Sequence, residues 1–107
     1  MELSESQYLS LASAELEQLL TALDEVGDDV EAELGGDILN IEFADDSKFV
    51  INSHRAARQI WMAAGTTAWH FDYDGERWVS SKTREELWSV VEQALSSKLG
   101  RKFTLRR

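Results

Sequence analysis

The sequence predicts an α+β fold, a two-layer α/β sandwich in which two terminal helices pack on one face of an antiparallel sheet of about six strands. Three observations carry this prediction. Apolar residues recur at helical spacing only near the two ends, they alternate with period two between those ends, and Gly- and Asp-containing turn signals separate the alternating runs. Each helix has one apolar stripe to bury, so both must rest on the same side of the sheet, leaving the other side to solvent. With 107 residues of which 43% are hydrophobic, residues 1–107 are expected to form a single domain whose core needs no metal or disulfide.

From Ser4 to about Asp24 the apolar positions Tyr8, Ala12, Leu16, Leu19 and Leu23 fall on one helical stripe, which Leu11 and Leu20 broaden. Ser4 or Ser6 is placed to cap this helix and Gly27 to stop it, while Glu15, Glu17, Asp24 and Glu25 are expected away from the centre of the stripe. The period then changes to two. Val30, Ala32 and Leu34 alternate with Glu31 and Glu33, Gly35-Gly36-Asp37 signals a hairpin, and Leu39, Ile41 and Phe43 return opposite Asn40 and Glu42. Asp45-Asp46-Ser47 makes the next turn, and in the third strand, Lys48 to Ser53, Phe49 and Ile51 share the buried face.

The connection His54 to Ala57 leads to a fourth strand, Arg58 to Ala63, in which inward Ile60 and Met62 would turn Trp61 outward beside Asn52. An indole there is either buried under neighbouring side chains or exposed as a recognition anchor. After Gly65-Thr66-Thr67, Trp69 to Tyr73 and Arg77 to Ser80 form two more strands around Asp74-Gly75, a stretch that reads as a plain turn rather than a calcium loop. Thr83 to Glu86 reads as a capping box. The helix it opens would bury Leu87, Val91, Ala94 and Leu95, with Trp88 and Val90 at its margins, and end at Gly100. Phe103 and Leu105 in the tail RKFTLRR either pack between the helices or dangle.

Charge divides the chain in two. Fourteen acids and no Lys or Arg precede Lys48, whereas residues 47–107 carry eleven bases against six acids. The acids are densest from Asp24 to Glu42. Such a field is either a solvated face that only keeps the protein soluble or one that concentrates opposite charge, in which case the expected ligands are cations or a basic protein surface. Nucleic acid is disfavoured because most of the surface would repel phosphate. No Cys and only two histidines, His54 and His70, leave carboxylate oxygens as the ligands for any metal, hence a hard cation. The N-terminal stretch lacks the features of a signal or transit peptide and no apolar run spans a bilayer, so a cytoplasmic location without a membrane role is expected.

The segments Val50-Ile51-Asn52, Gln59-Ile60-Trp61, His70-Phe71-Asp72, Gly75, Trp78 and the helix stretch WSVVEQA together resemble a bacterial frataxin homologue, from Tyr8 to Ala94. The resemblance implies an iron-binding protein of iron–sulfur cluster assembly that docks on the cysteine desulfurase and modulates sulfur delivery to the scaffold protein. Carried across by position, it implies weak binding of ferrous or ferric iron, with other hard cations as competitors, at Asp24, Glu25, Asp28, Asp29, Glu31 and Glu33. Partner contacts are implied at Asp28, Glu31, Glu33, Asn52 and Trp61, which favours the exposed reading of Trp61. Four positions in two segments depart from the family pattern: His54 and Ala56 stand where the family usually has Gln and Pro, and Leu20 and Thr21 where bacterial relatives place acids. The resemblance implies a monomer, or an oligomer assembled with iron, and no dedicated enzyme beyond a weak ferroxidase. The rival reading is an acidic interaction module that binds metal incidentally.

Overall fold

The computed structural model describes residues 3–106, and the elements follow the expected order. A long helix α1 (Glu5–Asp24) precedes six strands, β1 (Val30–Gly35), β2 (Ile38–Phe43), β3 (Lys48–His54), β4 (Gln59–Ala64), β5 (Thr67–Tyr73) and β6 (Trp78–Ser80), and α2 (Leu87–Leu99) closes the order. The strands form one antiparallel meander, β1-β2-β3-β4-β5-β6. Leu39, Ile41, Phe49, Ile51, Ile60, Met62, Phe71 and Trp78 bury one sheet face in a single core with Tyr8, Leu16, Leu19 and Leu23 of α1 and Leu87, Val91 and Leu95 of α2.

Local chemistry accounts for the element ends. Ser4 is the N-cap of α1: its hydroxyl accepts from the Gln7 N–H at 3.2 Å while its own N–H donates to Gln7 Oε1 at 3.0 Å, a reciprocal pair that satisfies two free amides. The β1–β2 turn needs a left-handed residue and Gly36 supplies it at φ 63°. Between β3 and β4 the chain has no proline; a single 3-10 turn, Arg55–Ala57, takes its place and Arg58 closes it in the left-handed region at φ 53°. The fourth strand therefore begins at Gln59 rather than Arg58. The fifth begins at Thr67, because Gly65-Thr66 alone suffices for the turn that pairs Ala64 with Thr67.

Two expectations fail in instructive ways. The capping box at Thr83 does not form: Arg84 is left-handed at φ 67°, Ser80 N–H donates to Glu85 O, and the chain folds back on the sheet edge before the helix starts. Glu86 is the N-cap instead, accepting from the Trp88 N–H at 3.0 Å. Glu15 was expected away from the α1 stripe but is buried, its Oε2 accepting from Trp88 Nε1 at 2.6 Å. The same contact draws Trp88 from the margin of α2 into the core, where Val90 is also buried, whereas Ala94 is half-buried. A carboxylate among apolar residues is tolerable once an indole donor faces it.

Candidate metal and partner-binding face

The acidic segment is shaped by the exit from α1. The Glu25 N–H donates to the carbonyls of Ala22 and Leu23, and Gly27, at φ 113°, turns the chain so that Asp28 and Asp29 lead directly into β1. Strand alternation then puts Glu31 and Glu33 outward while Val30 is buried. All six predicted metal-ligand positions, Asp24, Glu25, Asp28, Asp29, Glu31 and Glu33, are exposed.

They are not all brought together. Asp28, Asp29 and Glu31 line a depression of about 480 Å³ whose opposite wall carries Glu42 and Asp46. Glu42 is the cross-strand neighbour of Glu31, and Asp46 sits left-handed at φ 69° in the β2–β3 turn. Glu25 instead lines a groove with the C-terminal tail, and Glu33 lies opposite Asn40, further along the open face. Among the described residues no three His, Asp or Glu side chains converge closely enough to hold one metal ion. Such a donor set is all oxygen, exposed and unenclosed. It suits hard cations that keep part of their water.

Glu42 and Asp46 were absent from the predicted set, although one signal could have found Glu42. With Gly36-Asp37 at the centre of the hairpin, counting outward pairs Glu31 with Glu42. The charge balance of the face was also legible only in part. Arg101, in the tail, forms an ion pair with Asp29, and Lys98 Nζ lies 2.6 Å from Asp45 Oδ2, so two acids on the rim are met by bases far away in the chain. The Asp45 carboxyl is held well below the usual carboxylate range, chiefly by the Lys98 hydrogen bond and then by the hydroxyl and N–H of Ser47.

The second predicted feature lies on the open sheet face. Ile38, Asn52, Trp61 and His70 form a row in register across β2, β3, β4 and β5, and Ile38 is 42% exposed, the only large apolar side chain in that state among the described residues. Trp61 points outward, as the resemblance implies, but it is half-buried. Its two ring faces are covered by His54, 3.9 Å away, and His70, 4.1 Å away, both nearly parallel to it. The indole N–H donates to Gln59 Oε1 at 2.8 Å, and Gln59 Nε2 donates to Asp72 Oδ1 at 3.0 Å. Among the described residues the buried His54 Nδ1 has no hydrogen-bond partner, and the ring is stacked on Trp61. The imidazole at 54, where the resemblance implies Gln, is thus part of an aromatic column, an arrangement that no spacing in the sequence signals.

Comparison with known proteins settles the family. A model of the frataxin-like domain matches residues 1–101. The chain belongs to the frataxin-like family. It is 36% identical over 108 residues to the iron–sulfur cluster assembly protein CyaY of Cupriavidus metallidurans, covering 97% of each chain. Frataxin from Psychromonas ingrahamii superposes with a TM-score of 0.90 at 22% identity, covering 98% of this chain and 100% of that one. A trimeric frataxin of the yeast Saccharomyces cerevisiae, complexed with ferrous iron, does so with a TM-score of 0.74 at 22% identity, over 94% and 90% of the two chains. Frataxin-like architecture therefore extends over the acidic depression and the aromatic column together. No helix among the described residues is long and apolar enough to cross a membrane.

Proposed function

We propose that this protein acts in iron–sulfur cluster assembly, docking through its acidic ridge on the cysteine desulfurase and regulating sulfur delivery to the scaffold protein or the supply of iron. The observation that carries this reading is the convergence of Asp28, Asp29 and Glu31 with Glu42 and Asp46 around one depression at the edge of the sheet. Family membership and the names of the CyaY relatives support it. A basic partner surface would be drawn to that edge, while Glu33, Asn52 and Trp61 continue the contact across the open face.

Iron is cargo or effector in this scheme. The ferrous iron in the yeast frataxin supports iron as the metal, and Asp24, Glu25, Asp28, Asp29, Glu31 and Glu33 are its proposed ligands. Their exposure and scatter favour several sites with Kd on the order of micromolar or weaker over one tight cage. The protein is proposed to be a binding protein and not an enzyme. A dedicated ferroxidase centre would place Glu and His pairs inward from a helical core. Among the described residues no three of the acids around the depression come close enough to hold one ion, which favours one rival, an acidic interaction module that binds metal incidentally.

Calorimetry with a bacterial cysteine desulfurase, at low and high salt, tests the reading. Wild-type protein should bind in a salt-sensitive way, and Asp28→Lys/Glu31→Lys should abolish binding. An unaffected double variant would remove the docking claim. Binding that is identical with and without ferrous iron would favour the rival module.

A further inference from the structure

The chain's basic half folds back onto the rim of its own acidic depression. Gly100 ends α2 in the left-handed region at φ 71°, which reverses the chain so that the tail runs beside the end of α1. Phe103 and Leu105 anchor that tail in the core, with the Phe103 N–H donating to Ser96 Oγ at 3.0 Å and the Leu105 N–H to Glu92 Oε2 at 2.6 Å. Two bases reach the rim, Lys98 from the last turn of α2 and Arg101 from the anchored tail. The Arg101 guanidinium lies 4.1 Å from the Phe103 ring centre and pairs with Asp29. Lys98 sits 5.5 Å from the centre of the Phe43 ring and pairs with Asp45.

Asp29 and Phe43 line the depression, and Asp45 adjoins Asp46, which also lines it. By contrast, no ion pair joins Asp28, Glu31, Glu42 or Asp46 to a base among the described residues. The two bases therefore pair with the acids at the rim, while Lys48, the cross-strand neighbour of Glu42, makes no ion pair with the remaining acids among the described residues. Both acids and Arg101 are half-exposed or more and Lys98 is 27% exposed, so each pair is open to displacement by another cation.

From this placement we infer that Lys98 and Arg101 act as a built-in competitor, an intramolecular basic ligand that must yield before an external basic protein surface can occupy the acidic depression. This rests on the proposed role of the ridge as a docking face, and it adds a regulatory element to it. A partner then gains only the difference between its own ion pairs and those it displaces, which would keep docking weak and reversible. Anything that removes charge from Lys98 or Arg101 strengthens docking.

The test uses two probes, a hexa-arginine peptide and a bacterial cysteine desulfurase, against wild type, Lys98→Gln, Arg101→Gln and the double variant at low ionic strength. Exposed ion pairs imply that each single variant binds the peptide about 1.5- to 5-fold more tightly, with the gain vanishing at about 1 M salt. Asp29→Asn should weaken peptide binding more in the Arg101→Gln background than in wild type, where Asp29 is already engaged. A thermal melt of each variant confirms that the anchored tail is still in place. Peptide affinity that is unchanged or reduced in the folded double variant overturns the inference. Tighter peptide binding with no desulfurase binding would keep the inference and remove the docking partner proposed above.

Discussion

Phe103→Ala should cost this protein a large part of its stability, although it lies in a basic tail beyond the last helix. Phe103 is 7% exposed and belongs to the same core as Tyr8 and Leu95. A buried Phe side chain removes roughly 150–250 Å² from water, which at about 25 cal/mol per Å² corresponds to about 4–6 kcal/mol as an upper bound. Measured Phe-to-Ala losses of about 3–5 kcal/mol lie in the same range. Water can enter a cavity so near the surface, and Arg101 can relax when its ring partner is gone, so about 3 kcal/mol is the expected loss. For a domain of this size that lowers Tm by roughly 10–15 °C. Urea unfolding followed by far-UV circular dichroism measures it directly: the midpoint should fall with an unchanged slope. A loss below about 1 kcal/mol would mean that the tail does not pack in solution, and would also remove the support on which Arg101 meets Asp29.

Three other outcomes follow from particular contacts. Trp88→Phe removes the donor that faces Glu15 in the core, so about 1–3 kcal/mol should be lost, and a double-mutant cycle with Glu15→Gln should give a coupling above about 0.5 kcal/mol. The carboxyls of Asp45 and Asp74 are held below their ordinary value of 3.8, Asp45 chiefly by Lys98 and Asp74 chiefly by the N–H groups of Arg77 and Glu76. A depressed native pKa means stability that is present above about 3.8 and lost as pH falls through the folded value. Acid titrations of unfolding free energy below pH 4 should accordingly flatten in Asp45→Asn and Asp74→Asn, and an unchanged slope would discount both contacts. Finally, His54→Ala or His70→Ala should uncover one face of Trp61. Difference spectra against Trp61→Phe should then show red-shifted emission and faster acrylamide quenching of that indole, and a stability loss of about 0.5–1.5 kcal/mol per removed stack.

What was legible in the sequence follows from which interactions are local. Helix α1, the β1–β2 hairpin and the inward sets Leu39/Ile41/Phe43 and Ile60/Met62 all follow from periodicity and nearby turn chemistry, because burial on one face forces the pattern. The start of α2 was misread because Thr83 and Glu86 have capping-box spacing, yet Ser80 claims the local hydrogen bonds first: its hydroxyl accepts from Thr83 and its N–H donates to Glu85. Glu15 could not be placed, since its donor, Trp88, is 73 residues away. The acids from Asp24 to Glu33 are exposed, as the change of period at Gly27 implies, but their apparent freedom from cations was a property of sequence distance only. Arg101 is 72 residues from Asp29 and reaches it because Gly100 and Phe103 turn the tail back.

Trp61 shows how a choice drawn from burial alone can omit the state a sheet surface favours. An indole on an open face loses much of the benefit of burial, while a fully covered one would need another layer over the sheet. In-register neighbours offer a third solution. Asn52 and His70 flank Trp61 directly, and His54 reaches it from two residues further along β3, where it pairs with Gln59. The two imidazoles cover the ring faces and Gln59 fixes the N–H, so the side chain is desolvated on its flanks yet remains on the solvent side of the sheet. Its orientation is thus set before any partner arrives, which lowers the ordering cost of a contact made there. If a partner docks at Trp61 as proposed, the same column makes His54 and His70 part of the surface it meets, so a substitution at either should change affinity in calorimetry, although neither was among the expected contacts Asp28, Glu31, Glu33, Asn52 and Trp61.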